Sequence, residues 1–172
     1  GHADDLLQAL AEDRSGTLWI GTVSDGLLAL TDGGLRSFTA ADGLVNDSVT
    51  ALLPVSDGTL WVGTVGGISR RAIDGGWTAL RAGDGLPGNY VTALFEGRKG
   101  EIWAATRSGL ARIRDGRIAS LTAAQGLFDD ALMSALPSGD GWIWMGSNRG
   151  LFASPLAEIE ELFAGRRTRV SS

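Results

Sequence analysis

"GTLWIGTVSDGLLAL" runs from Gly16 to Leu30 and "GTLWVGTVGGISR" from Gly58 to Arg70, two nearly identical lines in a chain of 172 residues. The line is written four times. Leu18-Trp19, Leu60-Trp61, Ile102-Trp103 and Ile143-Trp144 follow one another at spacings of 42, 42 and 41 residues. A fixed period of this length signals an array of one supersecondary unit rather than a single mixed core. Other positions keep the same beat: Gly21-Thr22, Gly63-Thr64, Ala105-Thr106 and Gly146-Ser147, then Gly26-Leu27, Gly67-Ile68, Gly109-Leu110 and Gly150-Leu151. "DGL" recurs at 42–44 and 84–86 and becomes "QGL" at 125–127.

One period resolves into four short strands. In the second copy, Ser48–Val55, Thr59–Thr64, Ile68–Ile73 and Trp77–Ala82 are β-branched or apolar runs, separated by the turn signals "SDG", "VGG" and "DGG". Connections this short force an antiparallel meander, because a parallel crossover needs a dozen residues or more. The inner strands carry apolar residues on both faces, so each sheet needs a neighbour on each side. Repeated four-stranded sheets packed face to face predict an all-β fold of β-propeller blades. A helical solenoid is excluded, because 3.6-residue periodicity is confined to "SPLAEIEELFAG" near the end. There Ser154 is the expected N-cap, Pro155 the first helical residue, Leu156, Ile159 and Phe163 the apolar face, and Gly165 the C-terminal stop. The reading is a short helix inserted in the last blade, with "RTRVSS" supplying its final strand. Residues 1–3 read as a scar of tag removal, and 4–172 as four blades at about 4–40, 46–82, 88–123 and 129–172.

Composition narrows the function. With 26 glycines, 4 prolines and a net charge of −5, the chain is neither low-complexity nor strongly charged. Its pI near 4.8 argues against nucleic acid as a partner. Arg166, Arg167 and Arg169 read as a solvated edge. No apolar run approaches the roughly 18 to 20 residues of a membrane span. With no cysteine and His2 as the only histidine, no zinc site, histidine base or Ser-His-Asp triad can be assembled. No cofactor or metal is expected. Asp13, Asp57 and Asp140 sit at hairpin turns, where an aspartate bonds its own backbone. Asp129 and Asp130 are the one conceivable carboxylate pair for glycosidase-like work, which depends on a set separation. The expectation is a non-enzyme.

Trp19, Trp61, Trp103 and Trp144 recur on the second strand and are expected in the inter-blade core, while Trp77 and Trp142 fall off the beat. In a meander, the second-to-third turns and the inter-blade connections emerge at one end. These loops hold Ser24, Asp25, Asn46, Asp47, Asn89, Tyr90, Arg107, Asp129, Asp130, Asn148 and Arg149. From them Asn46, Asp47, Asn89, Tyr90, Arg107, Asn148 and Arg149 are the candidate binding residues for a polar small molecule or oligosaccharide.

The lines "EDRSGTLWIGT…GL…F…DGLVND" and "SDGTLWVGT…GI…DGLPGN" resemble the two-component regulator propeller repeat. The resemblance implies a periplasmic or other extracytoplasmic sensor region of a bacterial signalling protein, linked to a membrane-spanning output domain. The third copy departs with "IWAAT" and "QGL", the fourth with "IWMGS" and a helix. Alternatives are a scaffold or dimerisation segment without a ligand, and a propeller hydrolase or lyase. Four in-phase blades with bare end faces lead to a further expectation: self-association of two chains into one eight-bladed ring.

Overall fold

The computed structural model describes residues 6–98 and 100–172. The proposed tag scar and His2 lie outside them. The first three copies of the repeat each form a four-stranded antiparallel sheet in simple sequence order. These are β1 (Leu7–Glu12), β2 (Leu18–Thr22), β3 (Leu27–Thr31) and β4 (Gly34–Phe38); then β5 (Val49–Pro54), β6 (Leu60–Thr64), β7 (Gly67–Arg71) and β8 (Trp77–Leu80); then β9 (Val91–Glu96), β10 (Ile102–Thr106), β11 (Gly109–Arg114) and β12 (Arg117–Leu121). The fourth copy has three strands, β13 (Leu132–Pro137), β14 (Trp142–Ser147) and β15 (Gly150–Pro155), followed by the helix α1 (Leu156–Phe163). The chain forms two compact units, one up to Arg81 with Asn89–Val91, the other comprising Ala82–Gly88 and Thr92–Ser172.

The repeated residues each have a mechanical task. Thr22, Thr64 and Thr106 end the second strand of each sheet, and each hydroxyl donates to the carbonyl of the glycine that opens the third strand, at 2.8 to 3.0 Å. The same oxygens accept the N–H of Asp25, Gly66 and Ser108. One buried hydroxyl therefore closes each turn, and this explains the "GT…G[LI]" beat. The glycine one residue earlier answers to sheet stacking. A Cβ on Gly21 would lie 2.5 Å from Val49 Cγ1, and one on Gly63 would lie 2.7 Å from Val91 Cγ1. The first strand of the following repeat packs directly on that backbone. The first strands shift register just after this position, between Val49 and Ala51 in β5 and between Leu132 and Ser134 in β13. Thr50 and Thr92, each next to the residue that faces the preceding sheet, donate to the carbonyls of Val91 at 2.6 Å and Leu132 at 3.0 Å. Sheet is thus tied to sheet by one hydroxyl within each unit.

Leu44, Leu86 and Leu127, the leucines of "DGL" and "QGL", are all buried. The residues around them build a 3₁₀ turn. In Ala40–Asp42 the Asp42 carboxylate accepts the N–H and hydroxyl of Thr39, and in Ala123–Gln125 the Gln125 amide oxygen does the same for Thr122. This reciprocal cap needs only an acceptor three residues after the threonine, so glutamine serves as well as aspartate.

The fourth sheet departs from expectation in two ways. β15 stays extended through Pro155, with Ser154 paired to Ile143 and Pro155 to Trp142, so Pro155 rather than Ser154 precedes the helix. Ser154 Oγ is buried and caps nothing. "RTRVSS" is not a strand and pairs with no sheet. It nevertheless lies over Gly126 as a fourth strand lies over the preceding turn elsewhere. Ile118 of β12 covers Gly85, and Val170 of the tail covers Gly126. Ser120 donates to Gly85 O at 2.6 Å, and Ser172 donates to Gly126 O at 2.9 Å. The tail copies the docking of a fourth strand while α1 takes its chain length.

In unit one, Trp19, Phe38, Leu44, Val49, Leu60 and Val62 form a core joining the first two sheets. In unit two, Trp103 stacks on Phe95 at 6.0 Å and on Phe163 of α1 at 6.1 Å, within a core that includes Ile143 and Met145. Trp61 is also buried, beneath the Arg70 guanidinium. Trp144 differs from its three counterparts. It is 45% exposed, whereas Trp103 at the same position of the third sheet is 1% exposed, because no described residue packs over that face of β14. Trp103→Ala is expected to cost about 3–5 kcal/mol, the usual loss for a buried aromatic. Trp144→Ala should cost far less. Urea unfolding at low protein concentration checks this, and equal losses would contradict the assigned faces.

Candidate functional site

Much of the polar chemistry at the loop end is spent on the loops themselves. In unit one, Asp47 Oδ1 accepts the N–H of Ala40 at 2.6 Å, and its carbonyl accepts the N–H of Gly26. Asn46 Oδ1 accepts the N–H of Ser48 at 2.9 Å. Ser24 and Asp25 stand exposed on the β2–β3 turn. Asn89 is exposed and Tyr90 half-buried on the connection into β9. In unit two, Asp130 repeats the role of Asp47 by accepting the N–H of Ala123, and Asp129 accepts that of Ala131 at 3.1 Å. Each of the two aspartates is thus tied to a different backbone N–H. The Ala131 N–H is the main cause that holds the Asp129 carboxyl below its ordinary range, against desolvation and helped by Ser147 and Arg149.

Arg107, Asn148 and Arg149 are exposed at the same end of unit two. Arg149 has a defined pose: its guanidinium lies 4.7 Å over the Phe128 ring and Nη1 donates to Phe128 O at 3.4 Å. Phe128, Asp129 and Arg149 are therefore brought together, with Asn148 beside them in sequence. The sequence reading did not single out Phe128.

The opposite end of unit one, where the β1–β2 and β3–β4 turns emerge, holds a cleft with two lobes of about 380 and 410 Å³. Both lobes are lined by Asp13, Trp19, Gly58 and Arg71; Arg36, Thr31 and Phe38 line the larger. Asp13 is wholly engaged. Its Oδ2 accepts the Trp19 indole N–H at 2.8 Å, and its Oδ1 accepts from the Ser15 hydroxyl and from the N–H groups of Ser15 and Thr17. Burial pushes this carboxyl up, but the bonds from Ser15, Trp19 and Thr17 outweigh it and leave the pKa below its ordinary value. The matching pocket of unit two is smaller, about 200 Å³, with Glu101 bonded to the Trp103 indole at 3.4 Å.

Arg36 and Arg71 escaped the sequence reading because they lie off the repeat beat. The available signal was a departure. Arg71 pairs with Leu60, and the residues in its place in the other sheets are Leu30, Ile113 and Ser154. A cation had replaced a mostly apolar position.

A set of four-stranded meanders stacked through tryptophan, valine and glycine defines β-propeller blades. The chain carries the two component regulator propeller repeat: that family's signature matches residues 3–24, 43–66 and 85–108. Among solved structures, the extracellular domain of the hybrid two component system BT3049 from B. thetaiotaomicron aligns with a TM-score of 0.76 and 24% identity, over 84% of this chain and 21% of that one. The extracellular domain of the one component system BT4673 from the same organism gives 0.71 and 20%, over 87% and 22%. Virginiamycin B lyase from Staphylococcus aureus, with quinupristin, gives 0.67 and 17%, over 87% and 55%. The chain therefore spans about a fifth of either extracellular domain. No curated protein sequence matches it.

Asp13 provides a test of the turn chemistry. Its folded pKa is depressed, so its contribution to stability is present above the unfolded value, near 3.8, and is lost as pH falls through the folded one. Asp13→Ala removes the acceptor of the buried Trp19 N–H, a loss of about 1–3 kcal/mol at neutral pH. The stability gap between parent and variant should narrow as pH drops below about 4. A gap independent of pH in urea titrations would exclude the carboxylate as its source.

Proposed function

We propose that the chain is a non-catalytic, extracytoplasmic sensory module of a bacterial signalling protein, linked in its parent to a membrane-bound output domain. The observation that carries this reading is the regulator propeller repeat in three of its four copies. The likeness to extracellular domains of two component and one component systems supports the same placement. In this reading the ligand is a polar small molecule or oligosaccharide held at the loop end. Asn148 and Arg149 are the best-placed candidates: both are exposed, and Phe128 holds the guanidinium in a fixed pose. Arg107 is likewise exposed on unit two, whereas Asn46, Asp47, Asn89 and Tyr90 are separate candidates on the loops of unit one. A thermal-shift screen against neutral glycans should find a ligand that raises the melting temperature in saturable fashion through binding linkage. Arg149→Ala should abolish that rise. A screen with no such ligand, or one whose effect survives Arg149→Ala, refutes the loop-end site. Turnover that depends on Asp129 would instead favour the lyase or hydrolase class.

One observation favours self-association as a second reading. On the open face of the fourth sheet, Trp144, Leu136 and Leu151 are 45, 68 and 72% exposed, whereas Trp103, Phe95 and Leu110 in the third sheet are buried. A second copy could cover that face with Leu18 and Ile20 of its first sheet, as Ile143 and Met145 do in unit two. Light scattering over a concentration series should then show a dimer that Trp144→Glu dissolves. A monomer at all concentrations excludes it.

A further inference from the structure

The cleft of unit one joins features that no task in the fold explains. Arg36 comes from β4 of the first sheet and Arg71 from β7 of the second. Their guanidinium carbons lie 4.7 and 5.4 Å from the centre of the same Phe38 ring, and Arg71 also lies 5.7 Å from the Trp19 ring. Cation–π attraction accounts for this stacking. Among the described residues no hydrogen-bond acceptor takes the guanidinium N–H donors, and neither arginine has a carboxylate partner. Arg71 Nε is buried and bonded to nothing described. The neighbouring carboxylate, Asp13, is consumed by Trp19, Ser15 and Thr17. Two cations drawn to one ring, one of them with a desolvated Nε and both beside open space, are short of an anion with two acceptor oxygens.

The rest of the lobe defines the body that would carry that anion. Its volume, about 410 Å³, lies within the range of small-molecule sites. Ser15, Thr17 and Thr31 line it with hydroxyls, and Trp19 and Phe38 supply the apolar wall. A hydroxyl-bearing ring with a carboxylate matches this wall better than a purely apolar acid or a bare inorganic ion.

We propose that the Arg36–Arg71 cleft is a binding site for a carboxylate-bearing sugar, separate from the loop end. The carboxylate takes the paired guanidinium donors, and the sugar hydroxyls face Ser15, Thr17 and Thr31. Isothermal titration calorimetry with galacturonate and glucuronate tests this, with galactose, glucose and sodium sulfate as comparisons. At least one of the two acids should bind saturably, while the neutral sugars and sulfate bind at least tenfold more weakly. Arg36 is exposed, so Arg36→Gln should keep the fold by circular dichroism yet weaken binding about tenfold, the loss expected of one charge-assisted contact. Arg71→Gln should do the same, and Arg36→Lys should recover only part of the affinity, because an ammonium lacks the bidentate fork. Arg149→Ala should leave acid binding unchanged, so the site can fail or stand independently of the loop-end reading. Absence of binding by both acids, sulfate binding as tightly as they do, or an unaltered affinity in the Arg36→Gln/Arg71→Gln double variant would overturn the assignment.

Discussion

The structure depends on the close approach of consecutive sheets at the end of each second strand. At Gly21 and Gly63 the valine of the following repeat occupies the place where a side chain would begin. Stacking at that distance lets Trp19 bury itself against Leu60 and Val62, and lets Thr50 and Thr92 reach the next sheet's carbonyls. The third copy shows how much latitude the constraint leaves. Ala105 stands in the glycine position and is fully buried within the core of unit two, beside Leu132. One methyl is accommodated where the facing residue differs.

Turn chemistry and recognition compete for the same side chains. Short connections leave backbone N–H groups without strand partners, and the nearest Asp, Asn, Ser or Thr satisfies them. Asp13, Asp47, Asp57 and Asp130 are each committed in this way. A polar residue in a loop of this fold is therefore first a structural part. Groups available to a ligand are those whose donors exceed what the turn consumes. Arginine fits that description, because its five donors cannot cap a turn N–H and its flat head rests on an aromatic ring. Arg149 on Phe128, and Arg36 with Arg71 on Phe38, follow this rule.

The helix α1 has its own part in the stacking. Phe163 covers Trp103, and Glu160 meets the Arg112 guanidinium at 2.7 Å while that guanidinium lies 4.8 Å over Phe163. Arg112 pairs with Trp103 in the register, as Arg70 does with Trp61. A cation beside the core tryptophan is thus a shared feature of the second and third sheets. In unit two the helix brings an anion to it. With Ile159 fully buried, α1 belongs to the core rather than to a loose terminus.

The sequence by itself determined the repeat, the four-strand unit, the tight turns and the positions of the tryptophans, because each is encoded within a few residues. A threonine bonds a glycine three or four positions away, a capping acceptor follows its threonine by three, and strand alternation has a period of two. These interactions survive translation along the chain, so they appear as a beat. Three matters were left to the tertiary structure. Ser154 reads locally as a helix cap, yet pairing with Ile143 holds it extended, and a sheet register outweighs a capping preference. Trp144 carries the same letter as Trp103 but not the same burial, since burial belongs to what packs on a face and not to the residue. Arg36 and Arg71 meet over one ring from different repeats, 35 positions apart, and no local period marks that encounter. The division follows from range: what neighbours along the chain can settle is legible in it, whereas contacts between sheets come into being only when the sheets stack.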